Sequence, residues 1–167
     1  TEFPDPAHHG GHDGEQLDTV TFDQSQTFFI HASFTREMMM GVEFAKEFGF
    51  RPVIVGGADS WKIADYLRQN NVAVILDPTH NLPIMQDDDI DIFYKLPYLL
   101  QKAGVAYCMN GNDDNNRGRN LMFDAGNAVG YGLTKEEALQ AITLSAARIL
   151  GIDKTTGSLK QVRMQIL

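Results

Sequence analysis

His31 closes a continuous apolar run, residues 27–32, that carries Phe28, Phe29 and Ile30. A neutral imidazole just past a buried strand is well placed to ligate zinc or a similar ion through a ring nitrogen. The same residue also reads as a hydrogen-bonded core histidine. Gly56-Gly57, between a β-branched run and a helical pattern, would let a substrate or a phosphate approach exposed amides at a helix N-terminus, or would simply form a tight turn. Asp113 and Asp114 lie in a polar stretch, residues 110–118, where a loop carboxylate can act as a general base or metal ligand or remain solvated. An EF-hand beginning at Asn112 is excluded, because Arg117 stands where glycine is required and Phe123 where the final glutamate is. Asp87, Asp88, Asp89 and Asp91 form a denser acidic run, which reads as solvated surface.

These residues fall where strands should end. Residues 27–32, 52–55, 72–76 and 105–109 are short apolar runs of the kind buried on both faces of a sheet. Between the first two, Met38, Met39, Val42, Ala45 and Phe48 recur at helical spacing and Gly49 follows as a stop. After Gly57, Asp59 or Ser60 can cap a helix carrying Trp61, Ile63, Ala64 and Leu67. A long acidic connection spans residues 77–95, and residues 97–103 read as a short helix stopped by Gly104. Residues 120–131 and 134–150 read as two closing helices, the second announced by a capping box of Thr134 and Glu137. Strand and helix alternate, which argues a parallel sheet with right-handed crossovers, either doubly wound or part of a barrel. In such folds the ligand site lies at the carboxyl ends of the strands, here His31, Gly56-Gly57, Asp77-Pro78 and residues 110–114.

Bulk composition narrows the partners. A formal charge of −8, with no cluster of Lys and Arg to reverse it locally, repels phosphate backbones and anionic lipid, so neither nucleic acid nor a membrane is expected. Cys108 is the single cysteine and sits in an apolar run, where a small buried hydrophobe is the expected role. Residues 1–24 hold His8, His9 and His12 among glycines and prolines without apolar periodicity and read as an extended tail or linking arm. Residues 161–167 read as a C-terminal tail, and the opening on Thr1 reads as truncation or processing upstream. At 167 residues the chain is short for a closed (β/α)8 barrel, which needs roughly 250.

The order of several phrases resembles the imidazolonepropionase-related branch of the amidohydrolase superfamily. They are Phe29-Ile30-His31-Ala32, Val53-Ile54-Val55-Gly56-Gly57, His80-Asn81-Leu82-Pro83, Lys102-Ala103-Gly104-Val105, Arg119-Asn120-Leu121 with Ala125-Gly126, and Gly132-Leu133-Thr134 through Glu137-Ala138-Leu139. The helix phrase from Ala141-Ile142-Thr143 to Leu150-Gly151 and the closing Gly157-Ser158-Leu159 complete the series over residues 27–159. What the resemblance implies is an α/β fold of TIM-barrel type. Its metal ligands come from a His-x-His on the first strand, often a modified lysine on the fourth, histidines on the fifth and sixth, and an aspartate on the eighth. This chain resembles strands five to eight only, the C-terminal half, over residues 25–160.

In that frame His31 matches the fifth-strand histidine, while Gly56 or Gly57 stands where many relatives carry the sixth-strand one. Counting forward from Gly104 places Asn112 at the eighth-strand aspartate, and counting back from Arg119 places Asp113 there. No first-strand His-x-His is present, and the usual Gly-Lys-x-Ala-Asp continuation after Leu159 is replaced by residues 160–167. The expected metal ligand is therefore His31, the catalytic residue Asp113, and the substrate-binding residues Gly56, Gly57, His80 and Asn112. The implied activity is hydrolysis of carbon-nitrogen bonds in amide-like or cyclic amide small molecules by water activated on zinc or another divalent metal. Two donors hold such an ion weakly, so the chain is expected to be incomplete or degenerate by itself. A non-catalytic binding domain on the same scaffold is the alternative. Four βα units cannot close a barrel, so Phe28, Ile30, Val53 and Val55 are expected to face an open interior. Its cover would be the missing N-terminal half or a second copy of the chain, with all helices on the outer side.

Overall fold

The computed structural model of the chain describes residues 26–111 and 120–159. Four strands, β1 (Thr27–Ala32), β2 (Arg51–Gly56), β3 (Ala73–Leu76) and β4 (Tyr107–Met109), form one sheet in chain order, every neighbouring pair parallel. The register aligns His31 with Val55, Ile75 and Cys108 across the sheet. Because strand side chains alternate, Ile30, Ile54, Val74, Leu76, Tyr107 and Met109 share one face and His31, Val53, Val55, Ala73, Ile75 and Cys108 the other. The first set packs under the helices in the main core, with Met38, Val42, Leu96, Leu100, Ala125 and Ala138.

This register corrects one expectation. Phe28 pairs with Pro52 and Ile30 with Ile54, so Phe28 and Ile30 lie on the helix face, whereas Val53 and Val55 lie on the opposite one. The inward residues of β1 are Phe29 and His31. Choosing the wrong parity for one strand moves its whole side-chain set across the sheet.

The crossover segments follow from capping and periodicity. In α1 (Thr35–Glu47), Met38, Val42 and Ala45 recur on one buried face, and the Glu37 carboxylate accepts the Phe34 amide at 3.3 Å and the Ser33 amide at 3.4 Å. The segment after β2 begins as a single 3-10 turn, Ser60–Ile63, before α2 (Ala64–Gln69). The Asp59 carboxylate makes no cap bond there and reaches Lys62 and Thr35 instead.

Two helix boundaries differ from expectation. Proline at 97 reads as a first helical residue, yet α3 runs over Ile92–Ala103 with Pro97 inside and buried. A turn is already closed ahead of the proline, where the Asp91 carbonyl accepts the amides of Tyr94 and Lys95, and the Lys95 ammonium is held by Asp89 at 3.1 Å and Asp91 at 2.7 Å. The acidic connection therefore ends at Asp91. Beyond α4 (Leu121–Gly130), the expected single helix over residues 134–150 is two, α5 (Lys135–Ala141) and α6 (Leu144–Leu150). At the break the Thr143 hydroxyl donates to the Leu139 carbonyl at 2.7 Å, the acceptor its own amide would use in a continuous helix, and that amide turns to Gln140.

The break redirects α6 across the sheet. Ile149 and Ala146 pack with Val53, Ala73, Ile75 and Cys108, and the Arg51 guanidinium donates to the Ile149 carbonyl at 3.2 Å. One helix thus covers the amino-terminal end of the inner face, which corrects the expectation that all helices lie outside. No helix among the described residues is long and apolar enough to cross a membrane.

The capping box of α5 is present, with the Thr134 hydroxyl accepting the Glu137 amide at 3.2 Å and the Glu137 carboxylate accepting the Thr134 amide at 2.8 Å. The Thr134 amide and hydroxyl, each donating to that carboxylate at 2.8 Å, hold the Glu137 carboxyl below the usual glutamate range. A depressed folded-state value means that its stabilisation is complete above the ordinary glutamate value and disappears as pH falls through the depressed one. Urea midpoints across the acid range should therefore drop less steeply for Glu137→Gln than for the natural chain. Thr134→Ala should cost about 0.5–2 kcal/mol at neutral pH.

Candidate active site at the carboxyl ends of the strands

At its carboxyl end the inner face carries His31, and Asp77 directly follows the last residue of β3. The His31 side chain is exposed on the open wall of the sheet. Asp77 is half-buried; burial pushes its carboxyl above the usual aspartate range, and the charge of His31 draws it partly back. The two groups therefore share one electrostatic environment.

Between them β2 ends at Gly56 and Gly57 follows, at φ values of +101° and +60°. That left-handed conformation is one that side-chain-bearing residues rarely adopt. The Gly57 amide donates to the Ala32 carbonyl at 2.8 Å and the Asp59 amide to the Ser33 carbonyl at 3.0 Å, lacing β1 to the turn. The two glycines face different surroundings. A Cβ at Gly56 would sit 3.3 Å from Ser33 Oγ and 3.4 Å from Asp77 Oδ2, among the strand-end polar groups. One at Gly57 would overlap Val74 Cγ1 at 2.8 Å, inside the main core.

The rim is fastened by ion pairs. Lys62 bonds Asp59 at 2.8 Å and Asp88 at 3.2 Å, tying the turn after β2 to the long loop, and these partners hold its ammonium above the usual lysine range. With Asp89 and Asp91 on Lys95, three members of the acidic run are matched by lysines, as expected of surface carboxylates. Asp59 itself is nearly buried and accepts from Thr35 as well, a bracing role.

His80 lies elsewhere, against the helix layer. Its Nδ1 is 2.9 Å from the Tyr94 hydroxyl on α3, and its Nε2 is 3.2 Å from Asn127 Nδ2 and 3.5 Å from Asp124 Oδ1 on α4. Beneath it the buried Thr79 hydroxyl donates to the buried Asp124 carboxylate at 2.9 Å. The structure places both His31 and Asp77 at the carboxyl ends of the strands, on either side of β2, and holds His80 with α3 and α4. Asn112 and Asp113, like His8, His9 and His12, lie outside the described residues. An apolar cleft of about 660 Å³ between α5, α6 and Gly157 to Leu159 has none of these strand-end residues in its lining.

No protein-family model and no curated protein matches the sequence. Solved structures do. An amidohydrolase from Thermotoga maritima MSB8 superposes with a TM-score of 0.80 at 21% identity, covering 93% of this chain and 41% of that one. The fold is that of part of an amidohydrolase barrel. A second amidohydrolase gives a TM-score of 0.61 at 16% identity over 84% of this chain and 36% of its own. An uncharacterized protein gives 0.57 at 15% identity over 90% and 39%. The chain thus spans about two-fifths of the length of the structures it matches.

A catalytic zinc ordinarily takes about three protein ligands on rigid supports. The described strand ends present His31 and Asp77, and no group of three or more His, Cys, Asp or Glu able to hold a metal occurs among the described residues. Those residues alone do not make up such a centre. Asp77 is the strand-end residue that sequence reasoning left without a role. The strand-end rule points to it, but an Asp-Pro pair after an apolar run carries the signature of a turn.

Proposed function

We propose that this chain is the part corresponding to strands five to eight of a hydrolase acting on carbon-nitrogen bonds in amide-like or cyclic amide substrates, of the imidazolonepropionase-related kind. The supporting observation is that 93% of the chain follows 41% of an amidohydrolase, with strands parallel and in order and His31 at the carboxyl end of the first. In this reading His31 presents its ring to the mouth of the barrel and Asp113 moves the proton between water and leaving nitrogen. Gly56 keeps the mouth clear of a side chain, Gly57 forms the turn behind it, and Asn112 contacts substrate. Zinc or another divalent metal, implied by the resemblance, takes its remaining donors from beyond the described residues. The second half of the barrel is a preceding segment of a longer polypeptide or a second copy of the chain. It covers β1, which among the described residues pairs with β2 alone and leaves Phe29 43% exposed.

The test is a polypeptide carrying all eight strands, assayed against a panel of amides and cyclic amides. Turnover should fall roughly a hundredfold or more in His31→Ala, the upper range for loss of a metal-site group. Equal turnover in that variant, or none in the parent, sinks the hydrolytic reading. A non-catalytic binding scaffold is the second reading, favoured by the two glycines with positive φ where the resemblance expects a histidine.

A further inference from the structure

The connection from β3 to α3 is fastened at two places on opposite sides of α3. Near its start the buried Thr79 hydroxyl donates to the buried Asp124 carboxylate of α4 at 2.9 Å. The next residue, His80, lies 2.9 Å from the Tyr94 hydroxyl of α3, and 3.2 Å from Asn127 Nδ2 and 3.5 Å from Asp124 Oδ1 of α4. Near the end of the connection, Asp88 is bonded at 3.2 Å by Lys62, on the 3-10 turn after β2. Because α3 packs between α2 and α4, residues 81–87 cross from the α4 side to the α2 side, along the rim where β3 ends and α3 begins. Leu82, Ile84 and Met85 on this crossing are exposed. Polar bonds at its two feet therefore hold the segment, rather than apolar burial, and such a unit opens at a lower free energy than the whole domain. A buried carboxylate with one hydroxyl donor contributes little net stability. What it does fix is the path of the chain, for Thr79 is separated from the strand-end Asp77 by Pro78 alone, whose ring sets φ.

We propose that residues 78–88 form a strap along the strand-end rim, latched by Thr79 and His80 on α3 and α4, which opens locally while the core stays folded. Asp124 is then a positioning residue: through Thr79 it sets where the loop leaves β3, and release of the latch frees the rim beside Asp77. That this rim borders a catalytic mouth rests on the hydrolytic reading, but the test of the latch needs no turnover.

Thermolysin, which cuts on the amino side of accessible leucine, isoleucine and methionine, reads the opening in the full native chain, with the cuts between residues 81 and 85 located by mass. Thr79→Val and His80→Ala should each speed these cuts roughly tenfold, the ratio that loss of a buried hydrogen bond gives. Thr79→Ser, which keeps the hydroxyl, should be cut at the parent rate. Val42→Ala, at a fully buried position in α1, lowers global stability. It should leave the rate unchanged, because local opening does not pass through the unfolded state. Circular dichroism shows whether each variant is folded. Parent-like cutting in folded Thr79→Val and His80→Ala variants overturns the proposal, as does an acceleration in Val42→Ala as large as theirs. An eight-stranded protein that hydrolyses no amide, with these rates as expected, would count against the proposed activity alone.

Discussion

Replacing Leu100 by alanine should lower the free energy of unfolding by about 2–5 kcal/mol, the range for truncating a fully buried leucine. Leu100 has no exposed surface and belongs to the cluster in which α3 meets β3, β4, α4 and α5. Its loss removes transfer free energy and leaves a cavity that helices anchored at both ends close only in part. Domains of this size are stable by roughly 5–15 kcal/mol, so one truncation removes a large fraction. Urea unfolding with an unchanged slope is the measurement. Leu82→Ala, at a side chain 82% exposed, should shift the midpoint by no more than about 0.5 kcal/mol. Similar losses at both sites would mean that the main core does not lie beneath the helices.

Gly57→His should be equally damaging and should not restore a metal ligand. Its φ of +60° costs a side-chain-bearing residue about 1–3 kcal/mol. The new Cβ would also meet Val74 Cγ1 at 2.8 Å, with Ser60 Cβ and Ile54 Cγ2 close behind, adding about 1–3 kcal/mol of overpacking. The imidazole would start toward the core rather than the mouth, so Co²⁺ binding should not increase. Gly126→Ala is the control, since nothing lies within 4 Å of its Cβ position inside α4. That change should stabilise by about 0.4–1 kcal/mol. A Gly57→His variant as stable as the parent, or one with tighter metal binding, would overturn this account of the turn.

The elements legible in the sequence were those whose signal is local. The apolar runs located all four strands, Thr134 and Glu137 located the start of α5, and Gly104 the end of α3. What escaped depends on longer-range geometry. Pro97 imitates a helix start because the turn ahead of it is closed by Asp91 and braced by Lys95. Thr143 carries no breaking signature, since a threonine hydroxyl also bonds the carbonyl four residues back in uninterrupted helices. The parity of β1 follows from pairing with β2, which a run of apolar residues does not specify. At the strand ends, His31 was recognisable by type and position, whereas the place of Asp77 beside Gly56 depends on how β3 lies against β2. The choice between Asn112 and Asp113 falls outside the described residues.

The sheet order β1-β2-β3-β4 matches chain order, and every pairing is parallel to the strand made just before it. During synthesis each strand therefore emerges to find its hydrogen-bonding neighbour already made, joined to it by one crossover segment. Contacts accumulate outward from β1 without waiting for a distant partner, and the loop-closure entropy of each pairing is limited to one βα step. Until the next strand is made, the newest one presents an open edge to other nascent chains, so the rate of each βα step sets the time available for correct pairing or aggregation.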